Sequence, residues 1–266
     1  MDTNLSVHYF GIGIAAFGTT LLPILVALIL GLGRKLAIRP FFVGALAFFV
    51  SQGLLRLPLL SFLAYNTQWY APFVSTLWGS LLVGGLSAGL FEESARLAAG
   101  KVLLKNRTAY RDALSFGLGH AFCEILLVIG LSNVSLLLNA ALLENGTLDA
   151  MAAAGTIASE SLEQLNGAIR QFTPSLALLS LLERFSAAIF HIFATVLVFR
   201  AINEKKPMFY FAAILAHTLM NFLSALAVQK LGALGGEIVI LLLAAAAAVY
   251  TIRARTAFHA QQEIPQ

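Results

Sequence analysis

Phe91-Glu92-Glu93-Ser94-Ala95-Arg96 sets two adjacent carboxylates and a guanidinium inside one of the longest apolar segments of the chain. A run from Pro72 to Leu104 reads as one helix, and at 1.5 Å per residue the acids then lie about 12 Å inward of Lys101. That is membrane depth, where a charged side chain costs at least about 2.5 kcal/mol. Two acids together therefore need partners, protonation or a water-filled cavity. The polar residues elsewhere in the chain are candidates for those partners.

The sequence has 266 residues, 59% of them hydrophobic and 11% charged, and its apolar residues fall in runs of about 20. This composition predicts an all-α polytopic membrane protein and excludes a soluble domain. The first apolar run lacks a basic leader and a small-residue cleavage site, so it is expected to stay as a membrane span. A single cysteine, Cys123, excludes an intrachain disulfide and reads as a small buried hydrophobe. The net charge of +4 is spread over short loops and is no nucleic-acid signal.

Seven spans are expected. Span one covers about Tyr9 to Leu32, with Pro23 inside it, and ends in Arg34, Lys35 and Arg39. Span two follows Pro40 to about Ala64 and carries Gln52, Arg56 and Pro58, after which Tyr65 to Tyr70 reads as an interfacial aromatic belt. Span three holds Glu92 and Glu93; its Gly85 and Gly89 have the spacing that lets helices approach closely. It leaves through Lys101, Lys105, Arg107 and Arg111. Span four runs from about Ala113 past Gly130 towards Leu143.

Residues 144–172 form an extracytoplasmic loop or interfacial helix in this reading, because Ile157, Leu162, Leu165, Ala168 and Ile169 recur at approximate helical spacing. Span five runs from Pro174 to Arg200, span six from Pro207 to about Lys230, and span seven from about Leu231 to Ile252. Basic clusters then follow spans one, three, five and seven. By the positive-inside rule the N-terminus is outside and the C-terminus cytoplasmic. Residues 1–266 read as one domain without an internal repeat.

Counting from the cytoplasmic end of each span places the remaining intramembrane polar groups. His120 lies eight residues from Asp112, with Glu124 one turn beyond it; His191 lies nine from Arg200; His217 lies ten from Pro207, with Asn221 one turn beyond. All fall about 12 to 21 Å from that boundary, at the level of Glu92 and Glu93. A lone intramembrane histidine is often interhelical glue, but this many polar groups at one depth point to a functional site. Arg96, at i+3 and i+4 from the acids, suits holding one of them ionised. Arg56 and Arg184 are further supporting cations, and Glu183 with Arg184 is a candidate ion pair.

Hydrolysing a peptide bond needs a water, a base and a site for the oxyanion. A glutamate can supply the base, and His217 with Asn221 can hold the oxyanion. His120, His191 and His217 with a glutamate are residue types that zinc accepts, although they lie on three helices without an HExxH pattern.

These residues carry a resemblance. Glu92-Glu93 with Arg96, Phe116 with His120, and His217 with Asn221 resemble the three motif blocks of the CAAX prenyl endopeptidase and bacteriocin-processing superfamily of intramembrane proteases. The likeness is nearer to its YhfC branch of intramembrane metalloproteases. It rests on Gly89-Leu-Phe-Glu-Glu-Ser-Ala-Arg96, Gly117-Leu-Gly-His-Ala-Phe-Cys-Glu124, Glu183-Arg184 with His191, and His217, and is more distant to the PrsW group.

The resemblance implies a glutamate base at Glu92 or Glu93, a water- or metal-positioning role for His120, and oxyanion stabilisation by His217 and Asn221. Only Ser94 and Ala95 separate the acids from Arg96, where the superfamily has three residues, so which glutamate is the base stays open. The expected function is a zinc-assisted intramembrane endopeptidase of a bacterial cytoplasmic membrane, cutting a membrane-embedded or lipid-modified peptide. The alternatives are a proton-coupled or metal-ion transporter and a non-catalytic scaffold of protease descent.

Overall fold

Among residues 3–105 and 108–262, which the computed structural model describes, there is no strand. Arg107 of the expected basic cluster lies outside the described residues. The elements are α1 (Thr3–Leu32), α2 (Ile38–Asn66), α3 (Tyr70–Val74), α4 (77–104), α5 (Tyr110–Glu144), α6 (Thr147–Ala153), α7 (Ser159–Gln171), α8 (Pro174–Asn203) and α9 (Met208–Gln262). Helices are the expected solution where lipid offers no hydrogen bonds to the backbone.

Among the described residues, five helices are long and apolar enough to cross a membrane: Ser6–Leu32, Ile38–Asn66, Tyr110–Glu144, Pro174–Asn203 and Met208–Phe258. Helix α4 is not among them, because Glu92, Glu93 and Arg96 put three charges into little more than one turn. Large apolar side chains stay exposed along these helices, Phe42 at 64%, Phe185 at 65% and Leu242 at 66%. Patches of that kind are tolerated where lipid, and not water, is the solvent.

Two boundaries differ from the sequence reading. The helix expected from Pro72 is broken at Ser75 and Thr76 and restarts at Leu77. Thr76 caps the restart in an extended conformation, its hydroxyl accepting the Gly79 N–H at 3.0 Å, which satisfies one of the first-turn donors. Helix α9 is nominally continuous over 55 residues, but Gly232 has φ 77° and ψ −178°, outside the helical region. The chain reverses there: Met220 packs in one cluster with Ile240 and Ala247, and Tyr250 packs beside Ala213. The expected spans six and seven are therefore two arms joined at Gly232.

The internal contacts fall into two compact units. The first comprises Met1–Val26 and Ile125–Arg184. Its core gathers Ile12, Ala140 and Ile169, with Leu165 and Phe172 packed against them. Residues 144–172 are thus helical in α6 and α7, and the inward face of α7 is Leu165 and Ile169 at i,i+4, with Ala168 exposed. Asn133 donates to the buried Thr19 hydroxyl at 3.2 Å, an interhelical polar contact of the type expected in a bilayer.

The second unit comprises Ala27–Glu124 and Phe185–Gln266. One of its clusters joins Ala47, Ala99, Phe116, Val196, Phe199 and Phe258. Since lipid is as apolar as these side chains, the gain on association is close packing and not removal from water. At one end of the unit the basic connections meet. Arg111 donates to the carbonyls of Lys35 and Leu36 at 3.2 and 3.0 Å, Arg39 to Leu103 O at 2.6 Å, and Asn203 to Thr108 O at 2.8 Å.

Candidate functional site

The acids sit in the central turns of α4, Ser87–Ala99, with Glu92 5% exposed and Glu93 and Arg96 fully buried. Two glycines bring the histidine-bearing helices to them. A β-carbon at Gly89 would stand 2.9 Å from Ile214 O and 3.5 Å from His217 Cβ, so only glycine lets α9 approach this closely. A β-carbon at Gly117 would stand 2.6 Å from Ile192 Cα, so α5 meets α8 next to His191.

The hydrogen bonds assign a proton to each ring. His217 Nδ1 lies 2.7 Å from Glu93 Oε1; the carboxylate accepts, so Nδ1 carries the proton and Nε2 keeps a lone pair, 3.8 Å from Glu92 Oε2. His120 donates through Nε2 to Glu92 Oε2 at 2.9 Å, which leaves its buried Nδ1 without a partner. His191 Nδ1 lies 2.7 Å from Arg96 Nη2. Arginine can only donate, so Nδ1 accepts, and the ring's proton sits on Nε2, which faces Glu124 Oε2 at 2.6 Å. His191 Nδ1 is also 3.9 Å from Glu92 Oε2.

Arg96 ties α4 to α8. Its Nη1 donates to His191 O at 2.9 Å and to Thr195 Oγ1 at 2.8 Å. Its Nε lies 3.2 Å from Glu93 Oε2, an ion contact without hydrogen-bond geometry, and its Nη2 is 3.5 Å from Glu92 Oε2. Glu92 Oε1 accepts instead from Gln52 Nε2 at 2.9 Å. The Gln52 amide is oriented by Arg56, whose Nη1 donates to Gln52 Oε1 at 2.8 Å while its Nε donates to Ser87 Oγ at 2.8 Å. Glu92, Glu93 and Glu124 face two guanidinium groups, so with neutral imidazoles the centre keeps one negative charge. That favours a bound cation.

Glu92, His191 and His217 each offer a ligand atom, all buried and within 4.8 Å of one another. Tetrahedral zinc with bonds of about 2.0–2.2 Å separates its ligand atoms by about 3.3–3.6 Å, so the 3.8 and 3.9 Å separations from Glu92 need contraction by a few tenths of an ångström, and the two imidazole nitrogens, within 4.8 Å of each other, must close by up to about 1 Å or more. The Glu93–His217 bond is also the carboxylate–histidine pairing that orients a metal-binding imidazole. The donor set therefore fits a divalent cation.

Of the ligands expected from sequence, His191 and His217 are in this set, whereas His120 is engaged on Glu92 and the third donor is Glu92 itself. Glu124 joins through His191, and Arg56 through Gln52. Asn221 is half-buried one turn beyond His217 and has no hydrogen bond among the described residues. Glu183 and Arg184, in the first unit, pair with each other.

Gln52, Ser87 and Thr195 were not among the expected site residues. Gln52 and Arg56 share one face at i,i+4, and Thr195 stands one turn after His191. Polar residues one turn from an intramembrane charge are the signal that could have found them. Gln52 and Arg56 also lie in a π-helical stretch, Phe49–Arg56, a distortion frequent at functional sites.

Fold and site together define a polytopic helical membrane protein with a buried carboxylate–histidine–arginine centre suited to one divalent cation. The chain matches the family model described as YhfC intramembrane metalloprotease over residues 18–243. It is 32% identical over 247 residues to the uncharacterized membrane protein YhfC of Bacillus subtilis (strain 168), an alignment covering 90% of this chain and 93% of that one. The chain belongs to the YhfC intramembrane metalloprotease family. No solved structure matches it.

Proposed function

We propose that the chain is a metal-dependent intramembrane endopeptidase that cleaves a membrane-embedded or lipid-modified peptide in a bacterial cytoplasmic membrane. The observation that carries this reading is the convergence on Glu92 Oε2 of His120 at 2.9 Å, Arg96 at 3.5 Å, His217 at 3.8 Å and His191 at 3.9 Å. The seven-span arrangement, with the N-terminus outside and the site nearer the cytoplasmic face, belongs to the same proposal. An apolar groove of about 680 Å³ between α2 and α4, lined by Leu46, Val50, Leu90, Phe91, Ser94 and Ala98 among others, offers an apolar substrate a route to this helix.

Glu92 is the base in this mechanism. Glu93 is fully buried, with one oxygen on the His217 N–H and the other against Arg96, so it orients those two groups and has no oxygen facing a substrate. Gln52 and His120 fix the Glu92 carboxylate from both sides. A divalent cation, zinc in the first instance, held by Glu92, His191 and His217 would polarise the water and the scissile carbonyl. Glu92 accepts the water's proton on Oε1, where the Gln52 N–H leaves one lone pair open, and His120 gives its Nε2 proton to the departing amine and takes the water's proton back from Glu92. Asn221, whose amide is unengaged beside His217, donates to the oxyanion.

The test pairs metal analysis with peptide cleavage on detergent-purified protein. About one zinc per chain is expected in wild type, lost in the His191→Ala/His217→Ala double variant. Cleavage of a transmembrane peptide should fall by about 10³-fold or more in Glu92→Gln. Full cleavage by Glu92→Gln would remove the assignment. Metal-dependent flux into proteoliposomes without cleavage would favour a transporter instead.

A further inference from the structure

Resting on the metallopeptidase reading, we infer that Arg96 competes with the metal for His191 Nδ1, so that this arginine holds the centre below its full metal affinity. The lone pair His191 would offer a cation is the one now accepting Arg96 Nη2 at 2.7 Å. Zinc would bond that nitrogen at about 2.0–2.1 Å along the same in-plane direction, so the two cannot share it. The other ring nitrogen is not a free alternative, because it faces Glu124 Oε2 at 2.6 Å. Metal entry therefore requires Arg96 Nη2 to leave the ring.

The other contacts resist that movement, because the guanidinium is a rigid plane. Swinging Nη2 off the ring while Nε stays against Glu93 Oε2 at 3.2 Å requires the Nη1 bonds to His191 O and Thr195 Oγ1, at 2.9 and 2.8 Å, to tilt or break. Charge acts in the same direction as geometry. The guanidinium and a dication both compensate Glu92 and Glu93, so each weakens the need for the other. Arg96 thus makes two states of the centre, one with the arginine on His191 and one with the metal there. A merely supportive arginine would have the opposite effect, since its removal would loosen the metal.

The experiment measures Zn²⁺ affinity of the full-length protein in detergent by competition with a chromophoric chelator, with stoichiometry from elemental analysis. Displacing a charge-assisted hydrogen bond corresponds to about ten- to hundredfold in affinity, so Arg96→Met is expected to bind Zn²⁺ at least about tenfold more tightly than wild type. Arg96→Lys keeps the charge but loses the fork, and should tighten binding less. Thr195→Val removes one anchor of Nη1 and should tighten it by about two- to fivefold. On a His191→Gln background the Arg96→Met gain should vanish.

Thermal unfolding and size-exclusion profiles check that each variant is folded. If Arg96→Met fails to fold, the lysine and Thr195 variants carry the test. Unchanged or weaker binding in these variants, with a wild type that binds one metal, overturns the competition and leaves the metallopeptidase reading standing. No metal in wild type or in any variant overturns both.

Discussion

Glu92 and Glu93 are neighbours with different surroundings, and that difference underlies the roles proposed for them. Glu93 has no exposed surface and two fixed partners, whereas Glu92 faces Gln52 with one oxygen and the histidine cluster with the other. The amide of Gln52 is the less obvious member. With Arg56 able only to donate, Gln52 must present its N–H to Glu92, and Gln52→Leu would leave Glu92 Oε1 unpaired in a buried site. Truncating one partner of a buried charged hydrogen bond costs about 1.5–3 kcal/mol, so a fall in the unfolding midpoint is expected, together with weaker metal binding. Unchanged midpoint and affinity would show that Gln52 does not position Glu92. From sequence, the acids, Arg96 and the three histidines were legible because an ionisable residue at membrane depth needs a reason. Which nitrogen each histidine offers was not legible, because that depends on partners from other helices.

At the scale of the elements, the site depends on how closely helices approach. Gly89→Val would push a branched side chain into Ile214 O, Thr218 Oγ1 and His217 Cβ, separating α4 from α9 at the level of the acids. Overpacking of this kind costs about 1–3 kcal/mol, and here the expected larger effect is on metal affinity, because the His217 Nε2 to Glu92 Oε2 separation of 3.8 Å is already at the wide end for a shared ion. Zinc titration of a folded Gly89→Val variant checks this; wild-type affinity would show that α9 can adjust without the close approach. The small-residue spacing of Gly85 and Gly89 was readable as a packing signal. The Thr76 cap and the restart at Leu77 were not read from Pro72, because a threonine in an apolar run gives little periodic signal and the cap is a local hydrogen bond. The sequence reading ended span six near Lys230, two residues before Gly232, whose positive φ shows why a glycine stands at the turn.

For the whole molecule, the number of bilayer crossings turns on α4 and α9. Residues Met208–Phe258 number 51, about 75 Å as a straight helix, more than twice the hydrocarbon thickness of about 30 Å. A break is therefore needed on physical grounds, and the chain reverses at Gly232 with its two arms packed side by side. The connections that meet at one end, through Arg39, Arg111 and Asn203, bring the exits of α1, α4 and α8 to one face, the face that the positive-inside rule predicts to be cytoplasmic. Helix α4 is the expected span that hydropathy alone rejects, and its charges are the reason: they are compensated by α2, α5, α8 and α9 and need no contact with lipid. If α4 crosses and α9 crosses twice, the total is seven. Cys123→Ser removes the native thiol, and single cysteines at exposed positions can then report sidedness in intact cells with a membrane-impermeant maleimide. Cysteines at Asn66, Ser161 and Gln229 are expected to label from outside, and those at Lys35, Lys205 and Arg253 only after permeabilisation. Labelling of Gln229 and Arg253 from the same side would remove one crossing from α9 and place the N- and C-termini on the same face. Protection of Asn66 in intact cells would reverse the orientation, and with it the face from which a peptide reaches Glu92.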